Sequence, residues 1–223
     1  MGFNKGRILE PSCGVGNFFG LVPQSMSNST LYGIELDTMS SKIAGYLYPE
    51  ANIQNTGFER TNYPDGYFDV AIGNVPFGDY RVNDPAYNSH GFLIHDYFIA
   101  KTLDKLRPDG VAVFITTKGT MDKESSKVRE YLFKRADLLG AIRLPNTAFK
   151  NAGTKVTADI LFLQKREKER ENPEWISIVN NEDGIRVNSY FAAHPEMVLG
   201  TMQEVTGPYG LETACIEKEG SSL

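Results

Sequence analysis

Seven strand-length apolar runs alternate with helical stretches along the chain, and this alternation most restricts what it can fold into. The runs cover 7–10, 30–35, 51–54, 68–73, 111–116, 138–144 and 158–164. Helical spacing is read over 17–22, 39–48, 90–106 and 124–134, the third carrying Leu93, Ile94, Tyr97, Phe98, Leu103 and Leu106 along one side. Strands separated by helices predict a mostly parallel sheet covered on both faces. Ligands in such sheets sit beyond the carboxyl ends of the strands, where the strand order reverses. Two unusual turns fall at predicted strand ends, after 7–10 and after 68–73. Residues 78–90 and 145–157 are predicted as loops, the first of them mobile.

The first turn, Glu10-Pro11-Ser12-Cys13-Gly14-Val15-Gly16-Asn17-Phe18, joins a strand to a short helix. Gly14 and Gly16 let the backbone turn tightly and come close to a ligand. Glu35 ends the next strand, with Leu36 after it, and a carboxylate there can accept from both hydroxyls of a ribose. The pattern is close to a dinucleotide fingerprint, and the glycines alone do not separate the two. Glu10 does: a carboxylate ahead of the turn repels a pyrophosphate and suits a cation such as the sulfonium and ammonium of S-adenosylmethionine. Cys13 lies in this turn, away from any substrate loop, and reads as a small packed residue. Asp37 fits a helix N-cap.

The second turn is Gly73-Asn74-Val75-Pro76-Phe77. The Asn74 side chain and the Val75 or Pro76 carbonyl can accept both N–H bonds of a planar amine. That draws the nitrogen toward a tetrahedral shape and frees its lone pair. Phe77 can stack on the ring, an interaction worth about 1–3 kcal/mol per base. A base in a duplex must leave the stack to reach such a turn.

Other features bound the reading. The chain has 223 residues, 41% of them hydrophobic and 23% charged, ordinary values for a globular protein. No apolar run approaches the ~18–20 residues of a membrane span, and the amino terminus does not resemble a signal peptide. Cys13 and Cys215 are its two cysteines, with no zinc-like spacing, so no metal site and a reducing cytoplasm are expected. A net charge of −5 leaves no basic stripe for gripping phosphates, so other protein is expected to supply most of the hold on DNA. His95 reads as structural, and Lys118, Asp79, Tyr80 and Arg81 as exposed residues within reach of DNA. After Gln164 the composition becomes charged and broken, so 1–165 is predicted as the catalytic domain and 166–223 as a charged linker and appendage.

These residues resemble the amino-group DNA methyltransferases of the adenine-N6 class. Glu10 to Phe18 is similar to that family's first cofactor motif, Glu35 to its ribose-binding acid, and Asn74-Val75-Pro76-Phe77 to its Asn-Pro-Pro-Tyr/Phe motif, with Val75 replacing the first proline. Asn55-Thr56-Gly57-Phe58-Glu59 resembles the segment that holds the cofactor adenine. Gly57 stands where the family often has Asp, leaving Phe58 to flank the adenine and Glu59 as a substitute acceptor. Phe149 resembles a later aromatic that packs on the extruded base, and serves equally well as a loop aromatic closing the core. The segments around Gly119, Gly140 and Ala158 look most like the methylase part of large helicase–methylase proteins of mobile elements. The resemblance implies a class I methyltransferase fold, S-adenosylmethionine as cofactor and N6 methylation of adenine in DNA. It also implies further domains or subunits, a helicase region among them. Methylation of another planar amine, a protein glutamine or an RNA guanine N2, stays open, as does a non-catalytic scaffold role. A nicotinamide-dependent oxidoreductase leaves Asn74 to Phe77 without a role.

Overall fold

A computed structural model describes residues 3–171, 174–207 and 210–218. Its elements are β1 (Arg7–Glu10), β2 (Thr30–Glu35), α1 (Thr38–Leu47), β3 (Asn52–Asn55), β4 (Phe68–Asn74), α2 (Ile94–Lys105), β5 (Leu106–Thr117), α3 (Gly119–Asp122), α4 (Lys127–Arg135), β6 (Ala136–Leu144) and β7 (Ala158–Lys165). Then follow β8 (Ile178–Asn180), β9 (Arg186–Asn188), α5 (Ser189–Ala193), β10 (Thr201–Gly207) and β11 (Gly210–Ile216).

The seven strands predicted form one sheet in the order β3-β2-β1-β4-β5-β7-β6. Strands β3 to β5 pair in parallel, and β7 runs antiparallel between β5 and β6. The order reverses between β1 and β4, so the two unusual turns leave the sheet side by side. Helix α1 packs on β2 and β3, α2 on β5 and α4 on β6. Every residue from Ile94 to Leu103 is buried, which makes α2 the central helix. Among the described residues no helix is long and apolar enough to cross a membrane.

Local chemistry moves some boundaries. The stretch 17–22 is no α-helix: between Gly16 and Pro23 there is room only for a 3-10 turn, Phe19–Leu21, with another at Gln24–Met26. Helix α2 begins at Ile94 because Gly91, at φ 66°, closes a separate 3-10 turn, Asn88–His90. Pro108-Asp109-Gly110 forms a bulge inside β5, with Asp109 at φ 63° and Leu106 and Val111 pairing with Phe68 and Val70. The 78–90 segment is irregular, as expected, yet a buried ion pair ties it down. Asp84 Oδ2 accepts from Lys101 Nζ and from Tyr97 Oη, both at 2.8 Å.

Beyond β7 the chain returns to the sheet. Trp175, Val187, Phe191, Met202 and Cys215 join the main apolar core. The fully buried Asn188 side chain donates to the Met121 and Trp175 carbonyls and accepts from Tyr190 N, capping α5. Under these elements lies a buried charge cluster. Arg143 donates through Nε and Nη2 to both Asp159 oxygens (2.8 and 2.9 Å) and through Nη1 to Asp122 (2.6 Å), and its guanidinium covers the Phe191 ring. Removing one partner strands a charge out of water. Arg143→Ala is therefore expected to lower unfolding free energy by about 3–5 kcal/mol in urea titration; a loss under about 1 kcal/mol would show that water reaches the cluster.

Candidate active site

Strands β1 and β4 end together, and their turns touch. Ser12 Oγ donates to the Asn74 carbonyl at 2.9 Å. A Cβ on Gly73 would make ordinary contact with Pro11 Cδ at 3.5 Å, so the two turns are neighbours. A cleft of about 700 Å³ runs past both, lined by Pro11, Ser12, Glu35, Phe58 and Pro76 among others. The cofactor-type turn and the amine-type turn thus open on one continuous space.

The glycines in the first turn have specific work. Gly14 and Gly16 sit at φ 54° and 85°, and a Cβ on Gly16 would come within 2.6 Å of the Tyr48 ring. Cys13 packs against Gly33 and is 3% exposed. Burial first, then the nearby Glu10 and Glu35 carboxylates, push its thiol up to about 12, so it is no nucleophile at neutral pH. Glu35 is aimed by two backbone donors, Gly14 N to Oε2 (2.8 Å) and Asp37 N to Oε1 (2.7 Å). A carboxylate has about four acceptor positions, which leaves capacity for ribose hydroxyls. Asp37 caps α1, accepting from Ser40 N at 2.8 Å.

Glu10 is the anomaly. It is 2% exposed and its Oε2 has no hydrogen-bond partner. Burial, with help from Glu35, pushes its carboxyl up to about 8. An unmatched buried acid beside a glycine turn fits the ammonium end of S-adenosylmethionine and opposes a pyrophosphate. Across the cleft Phe58 is 2% exposed, held against Phe98 with Lys101 Nζ 5.0 Å from its ring centre. Glu59 folds back toward Gly57: a Cβ built there would collide with the Glu59 carboxylate. The acid thus fills the space that a side chain at position 57 would take.

The predicted residues divide by position. Pro11, Glu35, Leu36, Phe58, Glu59 and Pro76 line the cleft. Glu10, Cys13 and Val75 are buried next to it, with Val75 N donating to the Ile115 carbonyl at 3.1 Å. Gly14, Gly16, Asn17 and Phe18 shape the turn, Asn17 exposed and Phe18 half-buried. Asn74 is exposed and Phe77 half-buried, on either side of Pro76. Phe149 is half-buried in the loop between β6 and β7 and does not line the cleft. Sequence reasoning missed Ser12 as the link between the turns, and Ile94 and Phe98 as cleft walls. Ser12 is legible only once β1 and β4 are known to be neighbours.

The raised Glu10 carboxyl leads to an expected pH dependence of stability and ligand binding. Its folded pKa is raised, so the folded apo chain holds more protons than the unfolded chain between about 4.5 and 8, and apo stability falls as pH rises through that window. A bound ammonium favours the ionised form. Affinity for S-adenosylmethionine is therefore expected to rise between about pH 6 and 7.5, with a proton released, before the ligand's own α-amino group (pKa about 8) deprotonates. Calorimetry in buffers of different ionisation enthalpy measures this directly. Glu10→Gln should remove the proton release, weaken binding and flatten the apo stability profile; unchanged proton release would place the coupling elsewhere.

The chain is similar to known proteins. The N-6 DNA methylase family matches residues 3–190. The chain is 32% identical over 174 residues to defense against restriction protein B of Escherichia phage P1, covering 75% of this chain and 8% of that protein. It is 27% identical over 112 residues to modification methylase CviBIII of Paramecium bursaria Chlorella virus NC1A, covering 48% and 30%. Among solved structures it superposes on the type I restriction-modification system methyltransferase subunit of Streptococcus thermophilus with a TM-score of 0.57, at 18% identity, over 74% of this chain and 40% of that one. The chain thus spans less than a third of either curated relative. The fold is that of the class I methyltransferases, whose cofactor is S-adenosylmethionine. With its two turns joined at Ser12 and Asn74, this chain belongs to the N-6 DNA methylase family.

Proposed function

We propose that the chain transfers a methyl group to the N6 amine of adenine in DNA, as the catalytic part of a larger protein. The contact of Ser12 with Asn74 carries this reading, because it sets the amine-gripping turn beside the cofactor turn. S-adenosylmethionine supplies a methyl group on a cationic sulfur. Glu10 holds the ammonium, Glu35 the ribose, Phe58 flanks the adenine ring, and Glu59 takes the acceptor role of the aspartate that Gly57 replaces. The Asn74 side-chain oxygen accepts one N–H of the target amine and the Val75 or Pro76 carbonyl the other. Phe77 stacks on the base. When bound, the sulfonium would exchange its S–C bond for the new N–C bond and the amine would lose its proton to water, so no residue of the chain need act as a strong base.

The acidic chain (net charge −5) favours DNA contact supplied by other domains or subunits, a helicase region among them. Residues 1–165 carry the catalytic machinery, with 166–223 as a charged linker and appendage. Two buried free cysteines suit the reducing cytoplasm.

Asn74→Ala tests the assignment. Methyl incorporation into DNA by the intact parent protein should fall by about 100-fold or more, the scale of losing one well-placed polar group. Cofactor affinity should stay within about twofold. Equal loss of both contradicts the assignment. N6-methyldeoxyadenosine detected by mass spectrometry is the expected product, whereas label entering RNA or protein instead would favour the guanine or glutamine substrate.

A further inference from the structure

A second cleft, of about 560 Å³, opens on the other side of the amine turn. The segment 76–80 is a wall common to both: Pro76 and Tyr80 line the cofactor cleft, Gly78 and Asp79 the second. The second cleft is closed by Thr117 at the carboxyl end of β5, by Thr157 ahead of β7 and by the β10–β11 hairpin at Thr213. His95 of α2 is among its lining residues.

His95 is 3% exposed, and neither ring nitrogen has a hydrogen-bond partner. Nε2 stands 3.7 Å from Asp96 Oδ1, too far for a hydrogen bond, while the Asp96 carboxylate is taken by Thr120 and Lys123. The Gly78 main chain lies close enough to favour the charged ring without meeting hydrogen-bond geometry. Burial outweighs this and the pull of Asp96 and keeps the ring neutral, with one donor and one acceptor nitrogen. Buried polar groups are nearly always paired, so an imidazole in the lining of a cleft with both nitrogens buried and unmatched points to a ligand.

The charges around it say which kind. Lys118 Nζ donates to the Thr213 hydroxyl at 2.9 Å and to its carbonyl, Lys123 is paired with Asp96, and Arg186 with Glu124. Asp79, Asp122, Glu124 and Glu212 share the lining with these cations, so the cleft is poorly suited to a phosphate, while the neutral imidazole suits a hydrogen-bonding ring. Building on the adenine reading above, we infer that His95 recognises the ring of the methyl-accepting base. With the amine held at Asn74 to Phe77, the base extends past Gly78 and a ring nitrogen accepts from the imidazole N–H. All three six- and five-ring nitrogens of adenine open to such contact are acceptors, which matches that donor.

Nitrogen NMR of the histidine rings in the 223-residue chain, titrated with millimolar 2′-deoxyadenosine in the presence of S-adenosylhomocysteine, tests this. The chain has three histidines. The His95 ring nitrogens should shift while those of His90 and His194 stay in place. His95→Phe should weaken nucleoside binding about tenfold, the worth of one hydrogen bond. His95→Gln, which keeps a donor, should recover part of it, and S-adenosylhomocysteine binding should be unchanged in both. Unmoved His95 signals overturn the inference even if the phenylalanine variant fails to fold, as does wild-type nucleoside affinity in that variant. DNA methylation by the intact parent protein at unaltered KM and kcat with His95→Phe would also overturn it while leaving the proposed function standing. A parent protein that never methylates DNA would instead remove the proposed function.

Discussion

The adjacency of β1 and β4 is the constraint on which everything at the site depends. A parallel strand must be reached by a crossover, and here the chain winds outward from β1 to β3 before returning to lay β4 on the other side of β1. Only at that reversal do two strand ends leave the sheet with no crossover helix between them. Ser12 Oγ closes the gap by donating to the Asn74 carbonyl. Glu35, delivered by β2, and Phe58, just past β3, then fall along one wall of the same cleft.

Apart from the unpaired Ser29 and Thr102 hydroxyls, the buried titratable groups divide between matched and unmatched. Arg143 spends its donors on Asp159 and Asp122, and Lys101 is matched by Asp84. These clusters lock the β6–β7 side and the 78–90 segment. Glu10 and His95 are comparably buried yet unmatched, one beside the cofactor turn and the other beneath the amine turn. A folded chain tolerates such costs where a ligand offsets them. The two unmatched groups bracket the place where the amine turn meets the cofactor turn.

Much of this was legible in the residues. The seven strands, the glycine turn, the Asp37 cap and the packed Cys13 follow from local chemistry, and their order implied the sheet. Pairing across the sheet was not legible: Ser12 looked like filler in a turn because its partner lies on another strand. His95 read as structural because adjacent helix positions diverge, and only the burial of all of α2 shows that its ring ends unpaired beneath a cleft. The elements beyond β7 were missed for a related reason. Trp175, Phe191 and Met202 are isolated apolar residues among polar ones, and they make sense only against a core surface formed by distant segments. The expected 17–22 helix failed through a conflict visible in the sequence itself, a helical run too short to form between a glycine turn and a proline.

The central claim is that one pocket sets a sulfur-borne methyl group against Asn74. A crystal structure of the chain with S-adenosylhomocysteine tests it most directly. The account predicts the ribose hydroxyls on Glu35, the ammonium against Glu10 and the sulfur opening toward Asn74. A ligand seated with its sulfur turned away from Asn74, or bound outside the cleft between Pro11 and Phe58, would contradict it.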